Sequence, residues 1–442
     1  MRKVKNIIIG FGKAGKTLAA DFAKRGEETV LIESDKLYGG TCINIGCIPS
    51  KSLITNEDAG FAKAMDIKTA LVAKLNAGNY AKVADASAEV IDGFAKFKSD
   101  HVVEIAKTDG GTEEIEGERI FINTGATPVI PPIDGLDETF AKGDALTSRE
   151  LLSVDELPEK LVIVGAGYIS LEFAELFAKL GSVVVVLEAG EKFLPREDDD
   201  AAAAILADME KDGIRVELGV EFREIRGRKV RTNKGDFDFA KVLIATGRKP
   251  NTEKLGLENT NISRNERGAV KVNAKLETTA ENVWALGDVN GGPQFTYISL
   301  DDYRIVKNQL FGDGKYDTDS RKNVPYSVFT TPTFSRIGLD ENQANAAGTE
   351  YDLYKIAVAN FPKAKVLGDE RGFFKALVSP TTNEILGATL YGAESHELIN
   401  LISLAMKTKT DFREIRDMIF THPTMSENLN DLFAESSKVS RK

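Results

Sequence analysis

Cysteine is almost missing from this chain: 442 residues contain two, Cys42 and Cys47, both within one six-residue stretch. That excludes a disulfide scaffold stapling a small secreted domain, and two thiols so close together in a reducing compartment point to chemistry. Only three histidines occur, far in sequence from the cysteines, and no second cysteine pair exists. A zinc site is thereby excluded, and no metal is expected. No apolar run reaches the roughly 18–20 residues that a membrane span needs. The run Ile7-Ile8-Ile9 behind the basic start is too short for a secretory signal. The expectation is a cytoplasmic protein without a membrane partner. Positive charge is also in deficit. A net charge of −11 and the lack of any basic run with interleaved aromatics argue against nucleic acid as a partner.

What is there is an ordinary globular composition, 42% hydrophobic and 28% charged. The length exceeds one hydrophobic core and predicts two to four domains of about 100–150 residues each. A strand at 5–9 runs into the turn Gly10-Phe11-Gly12-Lys13-Ala14-Gly15, a helix to about residue 25, and a second strand at 29–32 that ends on Glu33. The pattern recurs: a strand at 161–164, the turn Gly165-Ala166-Gly167-Tyr168-Ile169-Ser170, a helix to about 180, a strand at 183–187, then Glu188. Gly10 to Glu33 and Gly165 to Glu188 both span 23 positions, which favours two dinucleotide-binding units over two coincidences. Glycines permit the tight turn and let the backbone approach a pyrophosphate at the helix start, while the glutamate can accept hydrogen bonds from a ribose. Each copy closes on a similar phrase, Asn123-Thr124-Gly125-Ala126-Thr127-Pro128 and Ala245-Thr246-Gly247-Arg248-Lys249-Pro250-Asn251. The Ala/Lys-rich stretch at 56–99 suggests helices with a solvated charged face. Beyond about residue 321, strand-like segments at 375–378 and 387–391 precede helices from about 397 and a short basic tail, which reads as an α+β domain.

Residues 10–17 also match the phosphate loop G-x-x-x-x-G-K-T of nucleotide triphosphatases. The second copy lacks that Lys and Thr, and the acidic residue 23 positions on belongs to the dinucleotide pattern. The sharpest signal is Gly39-Gly40-Thr41-Cys42-Ile43-Asn44-Ile45-Gly46-Cys47-Ile48-Pro49-Ser50-Lys51. If a helix begins here, the cysteines lie about one turn apart, close enough for a redox-active disulfide. Two cysteines packed as small hydrophobes would leave the surrounding glycines and the Pro-Ser-Lys unexplained.

These phrases resemble the pyridine nucleotide-disulfide oxidoreductases of the glutathione reductase and lipoamide dehydrogenase type, over essentially the whole chain. The resemblance implies an α/β fold with two Rossmann-like domains and a C-terminal α+β dimerisation domain. FAD would occupy residues 1–147 and 254–320, NAD(P)H residues 148–253, and the homodimer would form through residues 321–442. FAD would be held by Gly10, Gly12, Gly15, Glu33, Gly40, Thr41, Thr124, Gly125 and Asp288, the last in Trp284-Ala285-Leu286-Gly287-Asp288. The nicotinamide nucleotide would be held by Gly165, Gly167, Tyr168, Ile169, Glu188 and Gly247, with Tyr168 as a gate. Cys47 would be the thiol against the flavin, Cys42 the thiol that meets substrate, and Lys51, paired with Glu172, would stand near the flavin N5. Thr421-His422-Pro423-Thr424-Met425-Ser426-Glu427 resembles the phrase in which a histidine of one subunit, oriented by a glutamate, serves the other subunit's thiol. His422 and Glu427 take those roles here. His101 and His396 match no such phrase and read as structural or surface residues.

Residues 10–17, 294–306, 321–329 and 426–433 further resemble a bacterial subgroup, the reactive-chlorine-resistance flavoproteins, which reduce hypothiocyanous acid and have also been assigned copper(II) reduction. Mercuric reductases and large thioredoxin reductases carry further cysteines, which this chain lacks. Glutathione reductases carry an arginine where this chain reads Ala19-Ala20-Asp21. A small electrophilic oxidant is therefore expected as substrate. A lipoamide dehydrogenase-like disulfide reductase and a copper(II) reductase are the alternatives within the family, and a triphosphatase or a non-catalytic dinucleotide sensor those outside it. Glu188 predicts a preference for NADH over NADPH, because a carboxylate there repels a 2′-phosphate.

Overall fold

The buried run Ile7-Ile8-Ile9 needs cover on both faces, and the strand Arg2–Ile9 receives it by lying inside a parallel sheet. In this computed structural model, which describes residues 1–439, its neighbours are Thr29–Glu33 on one side and Thr112–Ile122 on the other, both parallel to it. Glu89–Phe97 extends the sheet beyond the first and Val283–Ala285 beyond the second. Val102–Lys107 pairs antiparallel with both Glu89–Phe97 and Thr112–Ile122. The helices Lys13–Lys24 and Thr296–Phe311 bring Leu18, Phe22, Ile305 and Val306 onto Phe121 and Trp284, whose rings stack 5.0 Å apart. In a sheet wound this way, ligands bind beyond the carboxyl ends of the strands, where strand order reverses. Gly10, Glu33, Thr124 and Asp288 all lie at or just past such ends. These elements belong to one compact unit, Met1–Pro132, Leu146–Leu157 and Ile244–Ser320.

The second unit comprises Ile133–Ala145, Pro158–Leu243 and Arg321–Lys442. It repeats the theme with Lys160–Val164 parallel to Val183–Leu187, itself parallel to Arg215–Glu217, and with Lys241–Ile244 and Ala145–Leu146 completing a five-stranded sheet. A small antiparallel sheet, Phe222–Arg226, Lys229–Thr232 and Gly235–Asp238, accompanies it. Residues beyond 321 form an antiparallel sheet in the order Tyr326–Val328, Phe334–Gly338, Ile385–Tyr391, Phe373–Val378, Asp352–Ala357. The helix Ser395–Thr408 lays Leu398, Ile399 and Ile402 on it, which is the α+β arrangement expected. Residues 440–442, in the expected basic tail, lie outside the described residues.

Two readings need correction. Residues 56–99 are not all helical: Phe61–Ala84 is a helix, but Glu89–Phe97 is a strand, burying Ile91, Ala95 and Phe97 at the alternating positions of a sheet. Nor is every charge on that helix solvated. Lys63, Lys74 and Lys82 are exposed, whereas Lys68 is buried and donates to the Leu152 carbonyl at 2.7 Å. Among the described residues no helix is long and apolar enough to cross a membrane.

A buried carboxyl in the second unit gives a testable consequence. Glu175, on the helix Tyr168–Lys179, is 5% exposed and accepts from the Thr331 N–H at 2.6 Å. Burial pushes it up from the ordinary 4.5 to about 8, against the Thr331 bond and Lys179. Its pKa is raised by folding, so its contribution is most favourable below the unfolded value and is lost as pH rises through the folded one. Glu175→Gln keeps the acceptor and removes the charge. It is expected to raise Tm at about pH 8.5 and to lose that gain near about pH 5; thermal unfolding at the two pH values checks this, and an equal or absent gain at both contradicts it.

Candidate redox site

The first glycine turn is fixed by its surroundings. Gly10 has φ 102°, and a Cβ there would stand 2.4 Å from the Asn123 carbonyl oxygen. The Asn123 side chain accepts from the Gly15 N–H at 2.9 Å and donates to the Leu286 carbonyl at 2.6 Å, tying the turn to two strand ends. The second copy repeats the bonds made by the first glycine of the turn and by the acidic strand end. Gly10 N–H donates to the Ile32 carbonyl at 2.9 Å, and Gly165 N–H to that of Leu187 at 2.8 Å. Glu33 accepts from the N–H groups of Phe11 and Asp35, each at 3.0 Å. Glu188 accepts from those of Ala166 at 2.7 Å and Gly190 at 2.8 Å. Both glutamates thus brace their turn, keeping further acceptor lone pairs for a ligand. Burial raises the Glu33 carboxyl, against the hydrogen bonds from Asp35 and Phe11.

The donor sets suit dinucleotides. The helices Lys13–Lys24 and Tyr168–Lys179 start at Gly12 and Gly167 without a side-chain cap. Nothing lies within 4 Å of a Cβ built on Gly167, so that turn has room for a phosphate against the helix start. The closing phrases meet as a two-stranded sheet, Ala126–Pro128 against Arg248–Pro250. Thr124 donates to the Asn251 carbonyl at 2.8 Å, and Gly125 and Gly247 face open space. The triphosphatase reading fails here. Lys16 is hydrogen-bonded to Asn79, and the Thr17 hydroxyl donates back to the Lys13 carbonyl at 2.6 Å, so neither is aimed at a phosphate on the turn.

The cysteines do not share one helical turn. Cys42 sits in the short helix Gly40–Asn44 and Cys47 opens the helix Cys47–Thr55, with Ile45 and Gly46 breaking the chain between them. They are thiols hydrogen-bonded to each other. Cys47 stands at a helix N-terminus, where negative charge is favoured, and its sulfur is 3.9 Å from the Thr296 hydroxyl. The hydrogen bond with Cys47 and burial push Cys42 up, while Thr296 and Lys16 pull it down; the net direction is up. Lys51, one turn along the same helix, is half-buried. Thr41 is exposed. Burial raises the Asp288 carboxyl against the attraction of Arg248. Burial likewise lowers the Arg248 guanidinium, against the pull of Asp288 and Cys47.

In the second unit the Tyr168 hydroxyl donates to Glu197, which also accepts from Tyr326 at 2.7 Å and from Arg336 at 3.1 Å. The rings of Tyr168 and Tyr326 stack 5.7 Å apart, and Ile169 beside them is exposed. Glu172 accepts from the Phe329 N–H at 3.0 Å. His422 Nδ1 lies 2.9 Å from Glu427, which also accepts from the Thr424 N–H at 3.1 Å. Burial works to raise Glu427, but the His422 and Thr424 bonds hold it below the usual range. His101 Nδ1 lies 3.2 Å from the Gly117 carbonyl, and His396 packs on Phe329. Among the described residues the acidic trio close enough to hold a metal, Asp198, Asp200 and Glu341, is filled by the Lys375 ammonium.

Asn123, Thr296, Arg248 and Glu197 escape a motif reading, and Lys16 was read only as part of the phosphate loop. Asn123 and Arg248 sit inside the closing phrases, where Thr124, Gly125 and Gly247 were the residues given a role. Glu197 and Tyr326 carry no motif and meet Tyr168 only through folding.

The family model for pyridine nucleotide-disulphide oxidoreductases matches residues 4–302, and that for the dimerisation domain of the same family matches residues 324–433. The chain is 47% identical over 442 residues to the probable pyridine nucleotide-disulfide oxidoreductase RclA of Escherichia coli strain K12, covering 98% of this chain and 99% of that one. It is 33% identical over 448 residues to a mercuric reductase of Shewanella putrefaciens, covering 96% of this chain and 79% of that protein. The Cu(II) complex of the HOCl-induced flavoprotein disulfide reductase RclA from Escherichia coli superposes with a TM-score of 0.94 at 47% identity, over 98% of this chain and 99% of that one. With its paired glycine turns, its dithiol and these full-length matches, the chain belongs to the pyridine nucleotide-disulphide oxidoreductase family.

Proposed function

We propose that this protein uses NADH and FAD to reduce a small electrophilic sulfur oxidant, hypothiocyanous acid, through Cys42 and Cys47. The observation that carries the reading is the hydrogen-bonded thiol pair, with Cys47 at a helix start. The Escherichia coli relative is described as HOCl-induced and as a flavoprotein disulfide reductase, which supports a role against oxidants. Its capture as a Cu(II) complex favours copper(II) reduction as the second reading.

In this proposal residues 1–147 with 254–320 hold FAD, residues 148–253 hold NADH, and residues 321–442 join two subunits. Exposed Leu404, Met418 and Ile419 in that last segment support an apolar partner surface. When bound, FAD would supply the hydride chemistry that links NADH to the Cys42–Cys47 disulfide. Lys51, and Asp288 with Arg248, would set the charge around the flavin, and Glu172 belongs to the NADH-binding part. Tyr168 covers the nicotinamide position. The Cys42 thiolate attacks the sulfur of hypothiocyanous acid, and its oxygen leaves as water with a proton from His422 of the partner subunit, which Glu427 orients. Cys47 then attacks the Cys42 sulfur, restoring the disulfide and expelling thiocyanate, a weakly basic and therefore fast leaving group.

Three outcomes are expected. The purified protein is yellow and gains a long-wavelength charge-transfer band on addition of NADH, which Cys47→Ser abolishes; a band surviving in that variant would reverse the roles of the two thiols. NADH shows the higher kcat/KM, because Glu188 repels a 2′-phosphate despite Arg196 eight positions on; steady-state kinetics with both nucleotides decides, and a preference for NADPH sinks the assignment. Hypothiocyanous acid is consumed far faster than oxidised glutathione, lipoamide, mercuric ion or copper(II). Cys42→Ser lowers that rate by more than about a hundredfold while sparing flavin reduction, and His422→Ala lowers it by about tenfold, since a good leaving group needs little proton assistance. Stopped-flow traces that coincide for wild type and Cys42→Ser would mean that the flavin meets the oxidant directly.

A further inference from the structure

The second glycine turn explains why Tyr168 stands where it does, but not why it meets a carboxylate there. Tyr168 opens the helix Tyr168–Lys179, between the exposed Gly167 and Ile169, and its hydroxyl donates to Glu197 Oε1. Glu197 is 2% exposed and lies in the connection between the strand Val183–Leu187 and the helix Asp199–Lys211. Two further donors reach it from the sheet beyond residue 321. Tyr326 donates to the same Oε1 at 2.7 Å, and Arg336 Nη1 donates to Oε2 at 3.1 Å. Tyr326 and Arg336 stand directly opposite each other on antiparallel strands, so both side chains leave the sheet on one face.

Glu197 is held so firmly that it cannot follow Tyr168 if the ring moves. Its neighbour Asp198 accepts from Lys375 at 2.6 Å and from the N–H groups of Glu341 at 3.3 Å and Asn342 at 3.2 Å. Arg336 Nη1 also donates to the Arg196 carbonyl at 2.8 Å, while Nη2 reaches Asp340 at 2.6 Å and Gln343 at 2.7 Å. The tyrosine can nevertheless leave without orphaning a buried charge. Oε1 then keeps Tyr326 and Oε2 keeps Arg336, so the carboxylate stays satisfied. The departing hydroxyl gives up a charge-assisted bond, and its ring gives up the stack on Tyr326 at 5.7 Å. A rigid acceptor, satisfied with or without its third donor, is what a releasable latch requires.

We propose that Glu197 is a positioning residue that latches Tyr168 over the nicotinamide position, with Tyr326 and Arg336 holding the carboxylate in place, and that a nicotinamide enters by breaking this one bond. The inference rests on the reading that Tyr168 covers that position. It gives the segment 321–442 a part in nucleotide binding besides joining subunits, because two of the three donors to Glu197 come from it. A ligand that carries the adenosine and the pyrophosphate but no nicotinamide leaves the latch closed.

The test is calorimetric titration of the oxidised holoenzyme with NAD⁺ and with ADP-ribose, which lacks the nicotinamide. Tyr168→Phe keeps the ring and removes the hydroxyl. It is expected to tighten NAD⁺ about tenfold, as loss of a hydrogen bond to a charged group implies, while ADP-ribose stays within about twofold of wild type. Glu197→Gln keeps the shape, loses the charge and is expected to tighten NAD⁺ as well. Adding Tyr168→Phe to it then changes NAD⁺ affinity by less than about twofold, because both substitutions act on one bond. The flavin spectrum and thermal unfolding report whether each variant is folded, and Tyr168→Phe carries the test if Glu197→Gln does not fold. An unchanged or weaker NAD⁺ affinity in folded Tyr168→Phe overturns the latch, as does an equal gain for ADP-ribose or full additivity of the two substitutions. Tyr168→Ala separates the two readings. If it alters the affinity for NAD⁺ relative to ADP-ribose while Tyr168→Phe does not, the cover stands and the latch falls; if neither substitution alters it, the reading of Tyr168 as the cover falls with the latch.

Discussion

Asn123 sits where the strand Thr112–Ile122 ends, and its backbone and side chain press on all three glycines of the first turn. No residue with a side chain fits at Gly10, because its φ is positive and the Asn123 carbonyl fills the space a Cβ would take. That contact sets where the helix Lys13–Lys24 begins. Gly40 then packs on Gly12, and through Gly40 the helix bearing Cys42 is placed. The helix bearing Cys42 is thus placed by a chain of close approaches that starts at Asn123. A substitution at Asn123 would disturb the turn, the helix start and the thiol together.

Charge placement supplies the second layer. Two neighbouring sulfurs cannot both ionise freely, and the structure divides them: Cys47 takes the helix N-terminus and Cys42 is opposed by burial and by its partner. Arg248, whose charge burial disfavours, is supported by Asp288 and then by Cys47. In the second unit the tyrosine over the glycine turn is tied to Glu197 and Arg336, both almost wholly buried. Removing one member of a buried pair of that kind typically costs about 3–5 kcal/mol, so Tyr168→Phe probes the tyrosine more cleanly than a change at Glu197.

The fold was legible because its signals are local and repeated. A strand, a glycine turn, a helix and an acidic strand end recur with one spacing, and the hydrogen bonds of Glu33 and Glu188 show why: each carboxylate accepts from the N–H of the second residue of its own turn, Phe11 or Ala166. The strand Glu89–Phe97 was obscured because its alternation is embedded in an Ala/Lys-rich stretch whose composition favours helix. The break at Ile45 and Gly46 was hidden because spacing alone cannot tell one helix from two short ones. Lys16 was masked by a competing motif, the phosphate loop, whereas the structure hydrogen-bonds it to Asn79. Partners such as Glu197 and Tyr326 for Tyr168 come from distant segments and leave no local trace.

The central claim is that electrons reach the oxidant through the sulfurs of Cys42 and Cys47. Anaerobic titration with NADH, with thiols counted by alkylation and mapped to peptides at each step, tests it most directly. The account predicts that two alkylatable thiols appear per chain, at Cys42 and Cys47, and that both disappear again when one equivalent of hypothiocyanous acid is added. A thiol count that stays constant while the oxidant is consumed would contradict it.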